Sequence, residues 1–333
     1  MLNIGHKGGA MRMRERLTAA SLAVVAIIGL GSTAACSKFA ELKAMKSFKE
    51  ANQAYQQQDY KKAAQLYEQT VQANPDMGQA YFFLGNSYDN LYKPSRKGEK
   101  ANDELLDKAV QDYELAAQKL STGSAEDQKL RKLSLEYLVA AYGADKLNDP
   151  AKAEPVVQKM IELDPGDPSN YFALAKIYED AGAYDAAEDI LLKAKDAKPN
   201  DPAVYMQLAG YYNRQGNFDK VIDALQQRAD KEPNNPEAFY TIATYYWDEA
   251  YRDFKLKESE KKAYVQKGID AVDKALQIKP DYVEALVYKN LLLRLEANME
   301  TDREKQAALI KQADQLRDKA QELRKQKQAG VSE

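Results

Sequence analysis

Residues 168–201 read PSNYFALAKIYEDAGAYDAAEDILLKAKDAKPND, and residues 202–235 read PAVYMQLAGYYNRQGNFDKVIDALQQRADKEPNN. These are two copies of one 34-residue unit. Tyr171, Leu174, Ala175, Tyr178, Gly182, Tyr184, Ala187, Leu191 and Pro199 return as Tyr205, Leu208, Ala209, Tyr212, Gly216, Phe218, Val221, Leu225 and Pro233. A fixed period of this length marks a stack of helical hairpins rather than a globule around one central core. Each column has a physical task. Tyr171, Leu174, Ala175 and Tyr178 fall on one face of a first helix, at offsets of three, four and seven. The small Ala175 and Ala187 let two helices approach closely. Gly182 is placed to end the first helix in a left-handed conformation. Pro199 stops the second helix, because proline lacks an N–H and disfavours helix at the residue before it.

The pattern resembles the tetratricopeptide repeat (TPR), a helix-turn-helix unit. Looser copies lie on both sides. Residues 44–77 carry Ala51, Asp59, Tyr60, Ala63, Tyr67 and Pro75, and residues 78–122 begin with Tyr81, Leu84, Gly85 and Tyr88. An insertion at 92–103 then precedes Ala109, Tyr113 and Ala116. Residues 124–166 give another copy, with Tyr137, Ala141, Ala153 and Pro165. Residues 236–281 restart with Phe239, Ile242, Ala243 and Tyr246 and hold a second insertion at 249–261. Residues 282–300 read as a lone first helix. Leu309, Ala313, Leu316, Ala320 and Leu323 then mark a long amphipathic helix that caps the stack. The expected fold is all-α: a TPR solenoid over 44–300, with about six repeats plus a partial one, and a capping helix and tail over 301–333.

The first residues read differently. Lys7, Arg12, Arg14 and Arg16 precede an apolar run from Leu17 to Leu30, and the small residues Gly31 to Ala35 lead to Cys36. A positive start, a short apolar stretch and a small-residue cleavage zone describe a secretory signal over 1–35. The run is short for a membrane span. Ser32-Thr33-Ala34-Ala35-Cys36 resembles a bacterial lipobox, although Thr33 stands where leucine is commonest. That resemblance implies acylation of the Cys36 thiol, a short anchor segment over 36–43 and attachment to a membrane. Ser37, rather than Asp, implies the outer membrane, facing the periplasm, in a host with two membranes. Ordinary secretion with an incidental thiol is the plainer alternative. Phe39, Leu42, Met45 and Phe48 recur at three-residue spacing with no Gly or Pro between them, so the first helix is expected within a few residues of Cys36, close to the bilayer.

In the TPR family the first helices line a concave groove. Heptad geometry places Phe48, Asn52, Tyr55, Phe82, Asn86, Asn90, Phe172, Lys176, Met206, Asn213, Tyr240, Thr244 and Trp247 on the groove side. Aromatic and Met side chains supply apolar anchors, and Asn amides both donate and accept along a peptide backbone. Relatives that clamp a C-terminal carboxylate use Lys and Asn. Asn52 and Asn86 match the two Asn positions, but Phe48 stands where the Lys belongs, which argues against that clamp. The insertions, joining first to second helices, are expected to project from one edge. Lys93, Arg96, Lys97 and Lys100 in the first suit an acidic partner or anionic lipid, or are simply a solvated loop.

Composition narrows the function. The 333 residues carry 44% hydrophobic and 30% charged side chains, and a net charge of −3 does not indicate a nucleic-acid binder. His6 and Cys36 are the only His and Cys. Past Cys36 neither a common zinc site nor a His-dependent nucleophile relay can be assembled. No glycine loop cradles a phosphate. No cofactor, metal or enzymatic activity is expected. The sequence points to a lipid-anchored envelope scaffold binding proteins or peptides, similar in kind to lipoprotein subunits of outer-membrane, pilus or secretion assemblies. A cell-wall polymer-processing enzyme or its activator is one alternative, and a self-assembling structural protein another.

Overall fold

The computed structural model describes residues 38–330, so the signal segment and Cys36 lie outside the described residues. Fourteen α-helices and one short 3-10 turn account for the secondary structure among them. Most successive helices pack on one another as hairpins. Helix α1 is described over 38–56, and α2 spans Tyr60–Ala73. Then come α3 Gly78–Leu91, α4 Lys100–Lys119, α5 Ala125–Tyr142 and α6 Pro150–Leu163. The next are α7 Pro168–Asp180, α8 Tyr184–Ala197, α9 Pro202–Arg214 and α10 Phe218–Lys231. Last are α11 Pro236–Arg252, α12 Glu258–Ile278, α13 Val283–Asn298 and α14 Arg303–Gln328. The chain divides into two compact units, one up to Met160 and one from Ile161. Buried apolar side chains run from Ala44 to Ala320, so residues 38–330 supply their own core.

Local chemistry sets the ends of these helices. Asp167, Asp201 and Asn235 cap α7, α9 and α11, each accepting a backbone N–H two residues on at 3.0, 2.9 and 3.0 Å. Pro168, Pro202 and Pro236 follow at the first helical position, where a missing N–H costs nothing. At the other end Gly182 and Gly216 take φ of +76° and +69°. The Ala183 and Asn217 N–H groups reach back to the carbonyls of Tyr178 and Tyr212 at 2.8 and 2.9 Å, closing the left-handed cap. Gln58 makes the same turn after α1: its φ is +59°, and the Asp59 N–H reaches the Ala54 carbonyl at 3.0 Å. A side chain in this conformation costs roughly 1–2 kcal/mol. Gln58→Gly is therefore expected to stabilise unit 1 by about 1 kcal/mol, less the extra freedom glycine adds to the unfolded chain. Denaturant unfolding followed by helical circular dichroism measures it.

The tyrosine columns do more than fill space. Tyr171 and Tyr205 donate to the carbonyls of Pro165 and Pro199 at 3.0 and 2.6 Å, tying each hairpin to the turn before it. A second column crosses between hairpins: Tyr88 donates to Glu68, Tyr142 to Glu114 at 3.0 Å and Tyr212 to Glu188 at 2.9 Å. Lys108, Lys152 and Lys220 stand over those three rings. Burial and the adjoining carboxylates push these phenols above their ordinary range, and the Lys220 ammonium is the chief cause holding Glu188 below its own. Small residues set the helix spacing. A Cβ on Gly85 would stand 3.0 Å from the Ala109 carbonyl oxygen, and one on Gly268 would stand 2.9 Å from Leu292.

Both insertions lengthen helices. The second lengthens both of its helices, leaving only residues 253–257 between α11 and α12. The first adds turns to the start of α4, whose Leu106 packs with Tyr92 and Ala141. The remaining basic loop is clasped by buried Asn102, which donates to the Lys93 and Arg96 carbonyls at 3.1 and 3.2 Å and accepts from the Lys93 N–H at 2.9 Å. Arg96 is committed to Glu99. Helix α14 buries Ala313 and Ala320, and it packs on α13, completing the last hairpin.

Candidate functional site

In unit 1 the first helices α1 and α3 bring the expected groove residues together, but as a closed network. Tyr55 donates to Asn86 Oδ1 at 2.6 Å, Asn90 Nδ2 donates to the same oxygen at 2.8 Å, and Asn86 Nδ2 donates to the Tyr113 hydroxyl at 3.3 Å. Tyr67 donates to Asn52 Oδ1 at 2.6 Å. Rings enclose these bonds: Tyr67 stacks on Phe83 at 5.8 Å and Tyr113 on Tyr137 at 5.3 Å, while Phe48 leans on Tyr67 and Phe83. Two expectations are corrected here. Phe82 and Asn86 are 5% and 4% exposed and belong to the core, because aromatic side chains of neighbouring helices roof them. Phe48, Asn52 and Tyr55 are half-buried, and only Asn90 is open to solvent.

Unit 2 presents a more open surface. Phe172 and Met206 are half-buried, and the Met206 sulfur accepts from Arg228 at 3.0 Å. Lys176 is exposed and paired with Asp180, and Asn213 is exposed. Thr244 is half-buried and donates to the Thr241 carbonyl at 2.7 Å. Around Tyr240 and Trp247 the structure assembles an aromatic row across α11 and α13. Tyr282 meets Tyr240 at 5.3 Å, Tyr240 meets Tyr288 at 5.3 Å, Tyr288 meets Trp247 at 5.6 Å, and Trp247 stacks on Tyr251 at 5.0 Å and 9°. Four of the five are half-buried, and Tyr251 is 62% exposed. Burial is the main cause pushing the Tyr240 phenol up to about 12, with Tyr288 and Tyr282 adding to it. None of the row's four tyrosine hydroxyls makes a hydrogen bond to another described residue, unlike Tyr55, Tyr67 and the column tyrosines.

Tyr282 and Tyr288 were not among the residues expected to bind, and Tyr251 belonged to the second insertion rather than to the groove set. Part of the signal was legible: Tyr240, Thr244, Trp247 and Tyr251 are spaced four, three and four apart, a single stripe on one helix. Tyr282 and Tyr288 join it from the next hairpin, at no fixed sequence offset. Among the described residues no group of three or more His, Cys, Asp or Glu side chains is set to hold a metal ion. No helix among them is long and apolar enough to cross a membrane.

Comparison with known proteins agrees with this architecture. Family models of the tetratricopeptide repeat match residues 48–125 and 146–211. These two stretches are tetratricopeptide repeats. No curated protein matches it. Among solved structures, the C-terminal part of a TPR repeat-containing protein from Cytophaga hutchinsonii is 18% identical, with a TM-score of 0.51. That match covers 81% of this chain and 95% of the other. A MamA protein is 19% identical over 60% of this chain and 94% of its own, with a TM-score of 0.40. YrrB, described as a TPR protein with an unusual peptide-binding site, is 18% identical over 60% of this chain and 91% of its own, with a TM-score of 0.37. At these identities the likeness is one of fold. The TPR assignment gives the aromatic row its place: α11 and α13 are first helices of successive hairpins.

Proposed function

We propose that this TPR protein is a membrane-attached adaptor of the bacterial envelope, and that the row on α11 and α13 docks an extended segment of a partner protein. The observation that carries the reading is the run of five adjoining rings with four unused hydroxyls. Aromatic faces receive apolar or proline side chains, and free phenols donate to the carbonyls of an extended backbone, which has no internal partners for them. Stacking of Trp247 on Tyr251 holds both rings before a ligand arrives, which lowers the entropy lost on binding.

Acylation at Cys36 supplies the attachment in this reading. It concentrates the adaptor at the membrane, so that modest affinity at the row suffices for capture. The partners are other envelope proteins or peptides, and the site is the outer membrane where the host has one. Growth with a labelled fatty acid tests the attachment. The wild-type protein is expected to take up label and stay with membranes, whereas Cys36→Ser loses both. Unlabelled wild-type protein would rule out the anchor while leaving the docking row standing.

A further inference from the structure

Helix α1 exposes Phe39, Leu42 and Met45 at 72, 66 and 58%. No other described helix exposes three large apolar side chains to this degree. At 3.6 residues per turn they fall within an arc of about 120°. Ala44, Ser47, Ala51 and Ala54 are buried on the opposite side against the fold. Lys38, Lys46 and Lys49 fall within the exposed arc and Lys43 about 40° outside it, and all four are exposed. Glu41 and Glu50 flank the arc, with Lys46 lying 4.0 Å from Glu50.

We infer that this face of α1 lies in the interfacial layer of an anionic bilayer, with the helix along the membrane surface. The inference rests on the membrane attachment proposed above. Two observations select a bilayer over other occupants. First, the chain is already helical at residue 38, close in sequence to Cys36, the residue that carries the attachment in this reading. Three residues reach at most about 10 Å, so an acyl group on Cys36 would keep Phe39 close to the headgroup layer. Second, apolar side chains interleaved with lysines suit that layer. The apolar groups enter the acyl boundary, while lysine stems lie along it and their ammonium groups meet lipid phosphates. The first hairpin is thereby held against the membrane by its helix as well as by its anchor.

The test uses the chain from Ser37 onward, which carries the whole described core and no acyl group. It is floated with vesicles of phosphatidylethanolamine and phosphatidylglycerol, and separately with vesicles of phosphatidylcholine alone. The expected result is partition onto the anionic vesicles only, weakening about tenfold between low and high salt. The triple variant Phe39→Ser/Leu42→Ser/Met45→Ser should lose at least about tenfold of that partition. Its circular dichroism should stay unchanged, since the three side chains are exposed. A parent chain that does not float, or a triple variant that floats as well as its parent, overturns the inference. So does a concentration-dependent dimer of the parent, seen in sedimentation and abolished in the variant, because the face would then belong to a second copy. The fatty-acid experiment at Cys36 is separate: it can fail while the anchor-free chain still binds anionic vesicles.

Discussion

The stability that Asp112→Asn adds to unit 1 should grow by about 2 kcal/mol between pH 5 and pH 8. Asp112 sits on α4 at 9% exposure, facing Gly85 on α3. The equivalent positions on α2, α6, α8, α10 and α12 hold Leu66, Val156, Ile190, Ala224 and Ala271, all apolar. The carboxyl therefore occupies a place built for hydrocarbon, and it makes no hydrogen bond or ion pair with another described residue. Burial is the largest cause pushing it up to about 7, the Glu68 carboxylate pushes the same way, and the Lys108 ammonium opposes them. In the unfolded chain an aspartate titrates near about 3.9, so the folded form holds its proton more tightly. Its stabilising contribution is complete below about pH 4 and is lost as pH rises towards about 7, beyond which the loss levels off. Each pH unit within that window is worth about 1.4 kcal/mol at most. The amide of the Asp112→Asn variant has no proton to lose, so the gap between variant and parent should widen from pH 5 and stop widening above about pH 7.5. Denaturant midpoints at a series of pH values measure it, and a constant gap would contradict the burial argument.

The fold was legible because the repeat columns are local. Tyr171 to Pro199 lie within one hairpin, and caps such as Gly182 act on the turn beside them. What escaped reading was decided between hairpins. Asn86 has the heptad phase of a groove residue, yet Tyr55 and Tyr113, 31 residues before it and 27 after it, cover it and take up its amide. Phase fixes which way a side chain leaves its helix, and the size of neighbouring side chains fixes whether water reaches it. The break in period at 249–261 marked an insertion without fixing its conformation. Residues 249–252 and 258–261 contain no Gly or Pro, so nothing stops α11 or starts α12 later. Pro94 and Gly98 do interrupt helix, and there the loop persists.

Removing the stacked pair from the aromatic row should cost more binding than any change in unit 1. Trp247→Ala and Tyr251→Ala are each expected to weaken partner capture by about 10- to 100-fold, or roughly 1.4–2.8 kcal/mol, the range of aromatic anchors at interface centres. Tyr251 is 62% exposed and Trp247 half-buried, so the helical signal and unfolding midpoint should change little on replacing the tyrosine and modestly on replacing the tryptophan. Tyr251→Phe keeps the stack and removes only a hydroxyl, so a small loss there against a large loss in Tyr251→Ala would assign the energy to the ring face. The measurement is crosslinked recovery of partners from envelope fractions, followed by titration of the recovered partner. Trp247 is the only tryptophan in the chain, so its emission reports occupancy of the row directly. Asn86→Ala makes the contrast: it strands the Tyr55 and Tyr113 hydroxyls and should lower the stability of unit 1 while leaving the row's affinity intact. Unchanged capture by Trp247→Ala/Tyr251→Ala, with the fold intact, would move the docking site off α11 and α13, because no other exposed group in unit 2 joins so many adjoining rings to unpaired donors.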